Sequence, residues 1–171
     1  MTDRISALIR GTIFVRDLDT ATAFYRALGL TETYYEGVLE DASASGIIGY
    51  AEPLPLSVRI VKRPGPNYGM IGLFKIDDGL DPEVVPMATG PARVGEVALV
   101  FYVASMADAM AAARANGATY APEPGIFVME HRQQAEVCIR DCDGVLLNLV
   151  ETDPVQQERT RPELDYSEAG S

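Results

Sequence analysis

The stretch RGTIFVRDLDTATAFYRALGL, residues 10–30, predicts one β-strand followed by one short helix. Side chains alternate in character over residues 10–16, as they do in a strand with two different faces. Asp17 suits an N-cap, because its carboxylate can accept a hydrogen bond from an amide of the first helical turn. Gly29 suits the left-handed residue after a helix. Between them, apolar residues recur at helical spacing, at Leu18, Ala21, Tyr25 and Leu28.

The same layout returns in ALVFYVASMADAMAAARANGA, residues 98–118. Val15 matches Val103 and Gly29 matches Gly117, each pair 88 positions apart, and the unit contains no gap. A fixed offset over a whole strand-helix unit indicates a duplicated module.

Each predicted helix is followed by three further strand-like segments. They span residues 31–37, 56–62 and 68–76 in the first half, and 126–132, 135–140 and 145–151 in the second. Residues 38–55 fit either a helix or a loop. The fold class is therefore α+β, with two tandem β-α-β-β-β modules. The predicted boundaries are a first module over 1–80, a linker over 81–96, a second module over 97–152 and a charged, disordered tail over 153–171.

A single module of this kind leaves one face of its sheet covered by the helix and the other face open. Two modules can join their open faces into a cupped mixed sheet around a central cavity. Small-molecule sites form preferentially in such hollows. The expected partner is therefore a small organic molecule.

Composition excludes several other partners. The chain carries 14 Lys+Arg against 25 Asp+Glu, a formal net charge of -11, which disfavours nucleic acid. No apolar run approaches the roughly 20 residues of a membrane span, and the N-terminus is too polar for a signal peptide. The two cysteines, Cys138 and Cys142, are predicted to be too far apart for a disulfide, so free thiols and a cytoplasmic location are expected.

Two motifs resemble a known superfamily. VRDLDTATAFYRALGL, residues 15–30, is similar to the opening of vicinal oxygen chelate proteins, and RDCDGVLLNLVE, residues 140–151, is similar to their ending. The superfamily includes glyoxalase I, extradiol dioxygenases, bleomycin and fosfomycin resistance proteins, and methylmalonyl-CoA epimerase. The resemblance spans roughly residues 8–152 and implies the two-module fold and a homodimer. It leaves the chemistry open, because one fold hosts many functions.

The resemblance also implies four positions for divalent-metal ligands, commonly His and Glu. They fall on Arg10, Leu73, Ala98 and Asn148. Arginine cannot ligate a cation at neutral pH, and leucine and alanine have no donor atom. No metal and no other cofactor is therefore expected. The alternative is a new metal site built from Glu130, His131 and Glu136, which we consider the weaker interpretation.

Candidate site residues follow from the same positions. Arg10 is the candidate catalytic residue, as a clamp for a carboxylate or enolate. The alternatives are that it frays at the strand end or pairs with an internal carboxylate. His131 is a candidate general base, or else a solvated residue of the polar stretch EHRQQ. Arg59 is left without an assigned face, and Tyr34, Tyr35 and Tyr50 without a role. The candidate ligand-binding residues are Thr12, Phe14, Leu73, Ala98, Tyr102 and Asn148.

Three functions remain open. The first is a metal-independent protein that binds a partly apolar organic molecule. The second is a metal-free lyase, isomerase or cyclase acting on a carbonyl compound, with Arg10 as the anion clamp. The third is a metal-dependent glyoxalase or dioxygenase, which requires a different placement of the ligands.

Overall fold

The structure, a computed structural model, describes residues 6–76, 84–129 and 132–155. The chain divides into two units, Met1–Met87 and Ala88–Ser171. Unit 1 contains β1 (Arg10–Phe14), α1 (Leu18–Ala27), β2 (Glu32–Leu39), α2 (Ala42–Ile47), β3 (Leu56–Lys62) and β4 (Met70–Ile76). Unit 2 contains β5 (Leu99–Val103), α3 (Met106–Ala115), β6 (Gly125–Met129), β7 (Arg132–Arg140) and β8 (Leu146–Glu151).

The two long helices confirm the repeat, since α3 starts and ends 88 positions after α1. Their caps are equivalent as well. The Asp17 carboxylate accepts a hydrogen bond from the Thr20 amide, and the Ser105 hydroxyl accepts one from the Asp108 amide. Gly29 and Gly117 follow the helices with φ of 110° and 90°, a left-handed conformation that favours glycine.

Each unit forms one four-stranded mixed sheet. The strand order is β1-β4-β3-β2 in unit 1 and β5-β8-β7-β6 in unit 2. The strand before each long helix pairs in parallel with the last strand of its unit, and the remaining pairs are antiparallel. The repeated topology confirms the predicted α+β class with two tandem modules.

The two faces of each sheet differ in what covers them. In unit 1 the helix face packs against α1, which contacts β3 and β4 and buries Phe24 and Tyr25 completely. In unit 2 the helix face packs against α3, whose Met106 amide donates to the carboxylate of Glu151 at the end of β8. We call the opposite face of each sheet its front face.

Part of the front face of unit 1 is covered by α2, the segment for which the sequence left helix and loop open. Ala44 and Ile48 pack on the buried front-face cluster of Leu56, Val58, Ile60, Met70 and Phe74. The fully buried Ser45 hydroxyl joins α2 to the chain before β3. It accepts a hydrogen bond from the Leu54 amide at 2.7 Å and donates to the Leu54 carbonyl at 3.2 Å.

In unit 2 the guanidinium of Arg140 fixes part of the segment predicted to be a linker. Arg140 is 1% exposed and donates to the carbonyls of Gly90, Pro91 and Gly144 and to the Glu96 carboxylate. A buried guanidinium needs several acceptors, and this one has four. Residues 90–96 are therefore hydrogen-bonded into unit 2.

Most predicted strands are found within two or three residues of their expected limits. Tyr120, which lies outside the named strands, forms an isolated antiparallel bridge with Arg140 at the end of β7. Residues 156–171, most of the predicted tail, lie outside the described residues. Among the helices that the structure describes, none combines the length and hydropathy needed to cross a bilayer.

Candidate functional site

A cationic and aromatic cluster occupies the front face of unit 1. Arg10, Thr12 and Phe14 alternate along β1, and the register places Thr12 beside Gly72 and Phe14 beside Phe74 of β4. The Arg10 guanidinium carbon lies 5.7 Å from the centroid of the Phe74 ring. The rings of Phe14 and Phe74 are 5.9 Å apart and tilted by 57°. This geometry is favourable for a cation–π contact and for an aromatic pair.

Gly72 gives this cluster its room. An ideal Cβ at Gly72 would lie 3.1 Å from a Phe74 ring carbon and 3.4 Å from both Arg10 Cδ and Thr12 Oγ1. Three side chains therefore converge on the space that a methyl group would fill. The missing side chain allows Arg10 to lie across the sheet toward Phe74.

Arg10 is the first residue of β1 and is exposed. Within residues 6–76, 84–129 and 132–155, no carboxylate forms an ion pair with Arg10. The guanidinium lies over the Phe74 ring. Among the described residues, no oxygen accepts a hydrogen bond from its N–H groups. A planar guanidinium on an apolar surface is suited to bidentate recognition of a carboxylate or phosphonate.

Leu73 does not share the face of Arg10, contrary to the expectation that both line one surface. The register pairs Leu73 with Ile13 and with Arg59. Arg59 donates to Asp19 and Thr22 of α1, which places all three strand residues on the helix face. Leu73 is also completely buried. Because successive strand residues point to opposite faces, the front-face position of β4 is Gly72.

The same contacts settle the orientation of Arg59. Besides Asp19, at 2.9 Å, it pairs with Glu36 of β2, at 2.5 Å. The hydrogen bond and charge of Arg59 lower the pKa of Glu36, and the two carboxylates raise the pKa of Arg59. This ion-pair network links α1 to β2 and β3 and lies away from the front face.

A polar cluster lies on the front face of unit 2. Asn148 of β8 stands in register between Val100 of β5 and Cys138 of β7. Its Nδ2 donates to one oxygen of the Glu136 carboxylate at 2.7 Å. Gln134 Nε2 donates to the other oxygen at 3.2 Å. Glu136 therefore receives one neutral amide donor on each oxygen.

The other end of the Asn148 amide is unsatisfied. Its Oδ1 is buried and has no hydrogen-bond partner among the described residues. The opposite amide orientation would bring Oδ1 against a carboxylate oxygen, so the contact with Glu136 fixes the assignment. The face thus offers an acceptor that lacks a donor.

The remaining candidates of unit 2 have different surroundings. Tyr102 is half-buried and lies beside Val150 on the front face, in line with Val100. Ala98 lies directly before β5 and is half-buried. His131 lies outside the described residues, so its role as a general base stays a prediction. The sequence indicates Glu136 only as a member of the alternative metal site with Glu130 and His131. Its pairing with Asn148 depends on the β7–β8 register.

The side chains present do not fit a divalent metal at the four implied positions. Arg10 carries a positive charge, Ala98 has no donor atom, and neither Leu73 nor its front-face neighbour Gly72 supplies one. Only Asn148 contributes an oxygen. In the part of the chain that the structure describes, no three His, Cys, Asp or Glu side chains come close enough to hold an ion.

Neither cysteine is set up as a nucleophile. Both are free thiols and half-buried. Burial, together with the charges of Asp141 and Asp143, raises the pKa of Cys142 to about 12. Burial and the neighbouring Glu136 raise the pKa of Cys138, although Arg140 opposes this. Thiolates are the reactive species, so both residues are chemically quiet near neutral pH.

Comparison with known proteins gives one family match. The sequence model of the Glyoxalase/Bleomycin resistance protein/Dioxygenase superfamily matches residues 5–149. A search of curated proteins finds no match to this sequence.

Solved structures share the fold at low sequence identity. A glyoxalase family protein from Bacillus cereus is 20% identical, covers 87% of this chain and 95% of its own, and superposes with a TM-score of 0.68. A mutant of the fosfomycin resistance protein FosX from Listeria monocytogenes, solved with Mn(II) and dihydroxypropylphosphonic acid, is 16% identical. It covers 91% of this chain and 97% of its own, with a TM-score of 0.52.

Proposed function

This chain belongs to the glyoxalase/bleomycin resistance protein/dioxygenase superfamily, and we propose that it binds a small, partly apolar organic anion without a divalent metal. The anion is held by the Arg10 guanidinium, and its apolar part lies against the exposed Phe14 ring, which packs beside the buried Phe74 on the front face of unit 1. The observation that carries the proposal is the position of Arg10 over the Phe74 ring with no described carboxylate partner.

The electrostatics support this choice. The chain has a formal net charge of -11, and Arg10 is a cation without an ion-pair partner among the described residues, so its positive charge contrasts with that of the whole chain. A guanidinium in partly apolar surroundings forms stronger hydrogen bonds to an anion than it does in bulk water. Thr12, one strand step from Arg10 on the same face, adds a hydroxyl donor for the bound anion.

The absence of suitable metal ligands at the implied positions supports a metal-independent mode. With Arg10 in place of a neutral or anionic donor, a cation near it would be repelled. The enzymatic alternative keeps the same contact. Arg10 would stabilise an enolate formed from a carbonyl compound in a lyase, isomerase or cyclase reaction.

The test is titration calorimetry with benzoate, phenylacetate and 3-phenylpropionate, using protein dialysed against a chelator. We expect at least one acid to bind. Arg10→Met should weaken it by about tenfold to a hundredfold, since charge-assisted hydrogen bonds are lost. Arg26→Met, which removes the same charge from α1 of the same unit, is the matched control and should change the affinity by less than about twofold.

Three outcomes would overturn the proposal. One is that none of the acids binds, and another is that Arg26→Met weakens binding as much as Arg10→Met. The third is that Mn(II) binds stoichiometrically and anion binding depends on it. Monitoring the bound acid by NMR for a chemical change would identify the enzymatic alternative if a carbonyl-containing probe is converted.

A further inference from the structure

We propose that the front face of unit 2 carries a second site, which binds the ammonium group of a small primary amine between Glu136 and Asn148. The proposal goes beyond the anion site of unit 1. It rests on the proposed function only in treating a front face as a surface for small molecules. The amine donates to the Glu136 carboxylate and to the unpartnered Oδ1 of Asn148.

The charge of Glu136 is the first argument. Its two oxygens accept from neutral amides, Asn148 Nδ2 at 2.7 Å and Gln134 Nε2 at 3.2 Å. Among the side chains that the structure describes, no lysine or arginine forms an ion pair with Glu136. The two amides orient the carboxylate and leave its negative charge uncompensated. Each oxygen also keeps a lone pair for a further donor.

The orphan acceptor is the second argument. Asn148 Oδ1 is buried, and no described donor reaches it. A buried acceptor without a donor costs about 1–3 kcal/mol, so a ligand N–H that reaches this atom recovers that penalty. The hydrogen bond from Nδ2 to Glu136 fixes the orientation of the Asn148 amide, so Oδ1 remains the atom without a described partner.

These features select the chemistry of the ligand. The cluster presents a carboxylate without a described ion-pair partner and, beside it, an amide oxygen without a described donor. An ammonium group has three donors, no acceptor and a positive charge, so it matches both features. A carboxylate would be repelled by Glu136, and a neutral hydroxyl would lack the attraction between opposite charges that an ammonium group adds to its hydrogen bond.

Apolar side chains lie on the same face beside the cluster. Val100 stands next to Asn148 and is exposed, and Tyr102 is half-buried on the same strand face. Phe127 of β6 is in register with Gln134 and is also exposed. An aryl or short alkyl group would therefore lie on an apolar surface beside the ammonium site.

The first test compares three probes of similar size by calorimetry at about 150 mM salt, which screens the general negative charge of the protein. Benzylamine should bind to the wild-type protein. Benzyl alcohol, which lacks the charge, and benzyltrimethylammonium, which lacks N–H donors, should each bind about tenfold more weakly or worse. Equal binding of either analogue, or no binding of benzylamine, would overturn the proposal.

The second test locates the site. Glu136→Gln should lower the affinity for benzylamine by about tenfold or more. Glu52→Gln makes the same charge change at an exposed site in unit 1 and should change this affinity by less than about twofold. Equal effects of the two variants would refute the assignment. If Glu136→Gln fails to fold, the side-chain amide resonance of Asn148 in the wild-type protein serves instead. It must shift on titration with benzylamine, and a constant resonance would refute the site.

Failure of this proposal is distinguishable from failure of the anion site. Benzoate that binds normally while benzylamine does not would reject the amine site alone. The reverse result would reject the anion site alone.

Discussion

The Arg140 guanidinium donates to the Glu96 carboxylate at 2.7 Å, which connects β7 to a residue 44 positions earlier in the chain. Glu96 also accepts from the guanidinium and the backbone amide of Arg93. Together with the hydrogen bonds from Arg140 to the carbonyls of Gly90 and Pro91, this contact holds residues 90–96 against the end of β7.

Replacing Arg140 with methionine should destabilise the protein by about 2–4 kcal/mol, because several buried acceptors lose their donor at once. The measurement is urea denaturation followed by circular dichroism. Arg114→Met provides the comparison, since Arg114 pairs with the exposed Glu123 at the surface and should cost less than about 1 kcal/mol. Equal losses in the two variants would show that the Arg140 contacts do not contribute as described.

Glu96 should make the free energy of unfolding depend on pH in the acid range. The hydrogen bonds from Arg140 and Arg93 lower the pKa of Glu96 from its ordinary value of 4.5 to about 2. The unfolded chain therefore binds this proton more tightly than the folded chain. The contribution of Glu96 is complete above about pH 5 and is lost as the pH falls toward about 2.

The measurement is the urea midpoint of wild type and Glu96→Gln at several pH values. The difference between the two should be largest near neutral pH and should shrink on acidification. A difference that is constant from about pH 6 to about pH 3 would contradict the ion pair as its source.

Gly72→Ala should weaken anion binding in a protein that still folds. The new methyl group would meet Phe74 at 3.1 Å and Arg10 Cδ at 3.4 Å, so the flexible arginine moves aside. We expect benzoate affinity to fall about threefold to tenfold and stability to change by about 1 kcal/mol. Gly125→Ala is the matched control, because nothing lies within 4 Å of an ideal Cβ there. Unchanged affinity in Gly72→Ala would argue against Arg10 as the anion contact.

Thiol labelling should be slow in the folded protein. Burial and two neighbouring aspartates raise the pKa of Cys142 to about 12, and the pKa of Cys138 is raised mainly by burial. At about pH 8 with a chromogenic disulfide reagent, we expect both thiols to react at least about tenfold more slowly than in urea. Mass spectrometry identifies the labelled residue. Fast native labelling of Cys142 would contradict the described environment.

The sequence was most informative where the signal is local. The helix beginning after Asp17, the glycine after it and the second copy of both depend on neighbouring residues, and all of them are found as predicted. The strands of the second half were also recognised, because each is bounded by turn residues such as those of residues 141–144.

The errors and omissions arise from contacts between distant parts of the chain. The face of Leu73 depends on the register of β4 against β1, and the intervening loops hide that register in the sequence. Arg59 and Arg140 both lie in strands, and the sequence does not distinguish them. Their partners do, because Arg59 forms an ion pair with α1 on the helix face and Arg140 donates to buried backbone carbonyls. Glu136 becomes a candidate binding residue only through its hydrogen bond with Asn148, twelve positions later on the neighbouring strand.

The short helix α2 makes the two halves of the duplication unequal. It is inserted between β2 and β3 and secured by Ser45, whereas only two residues separate β6 from β7. The length of this one connection can therefore change how much of a front face is covered while the hydrogen-bonded ladders remain intact. Grafting residues 40–55 into the short connection of unit 2 would be a direct way to redesign which molecules that sheet accepts.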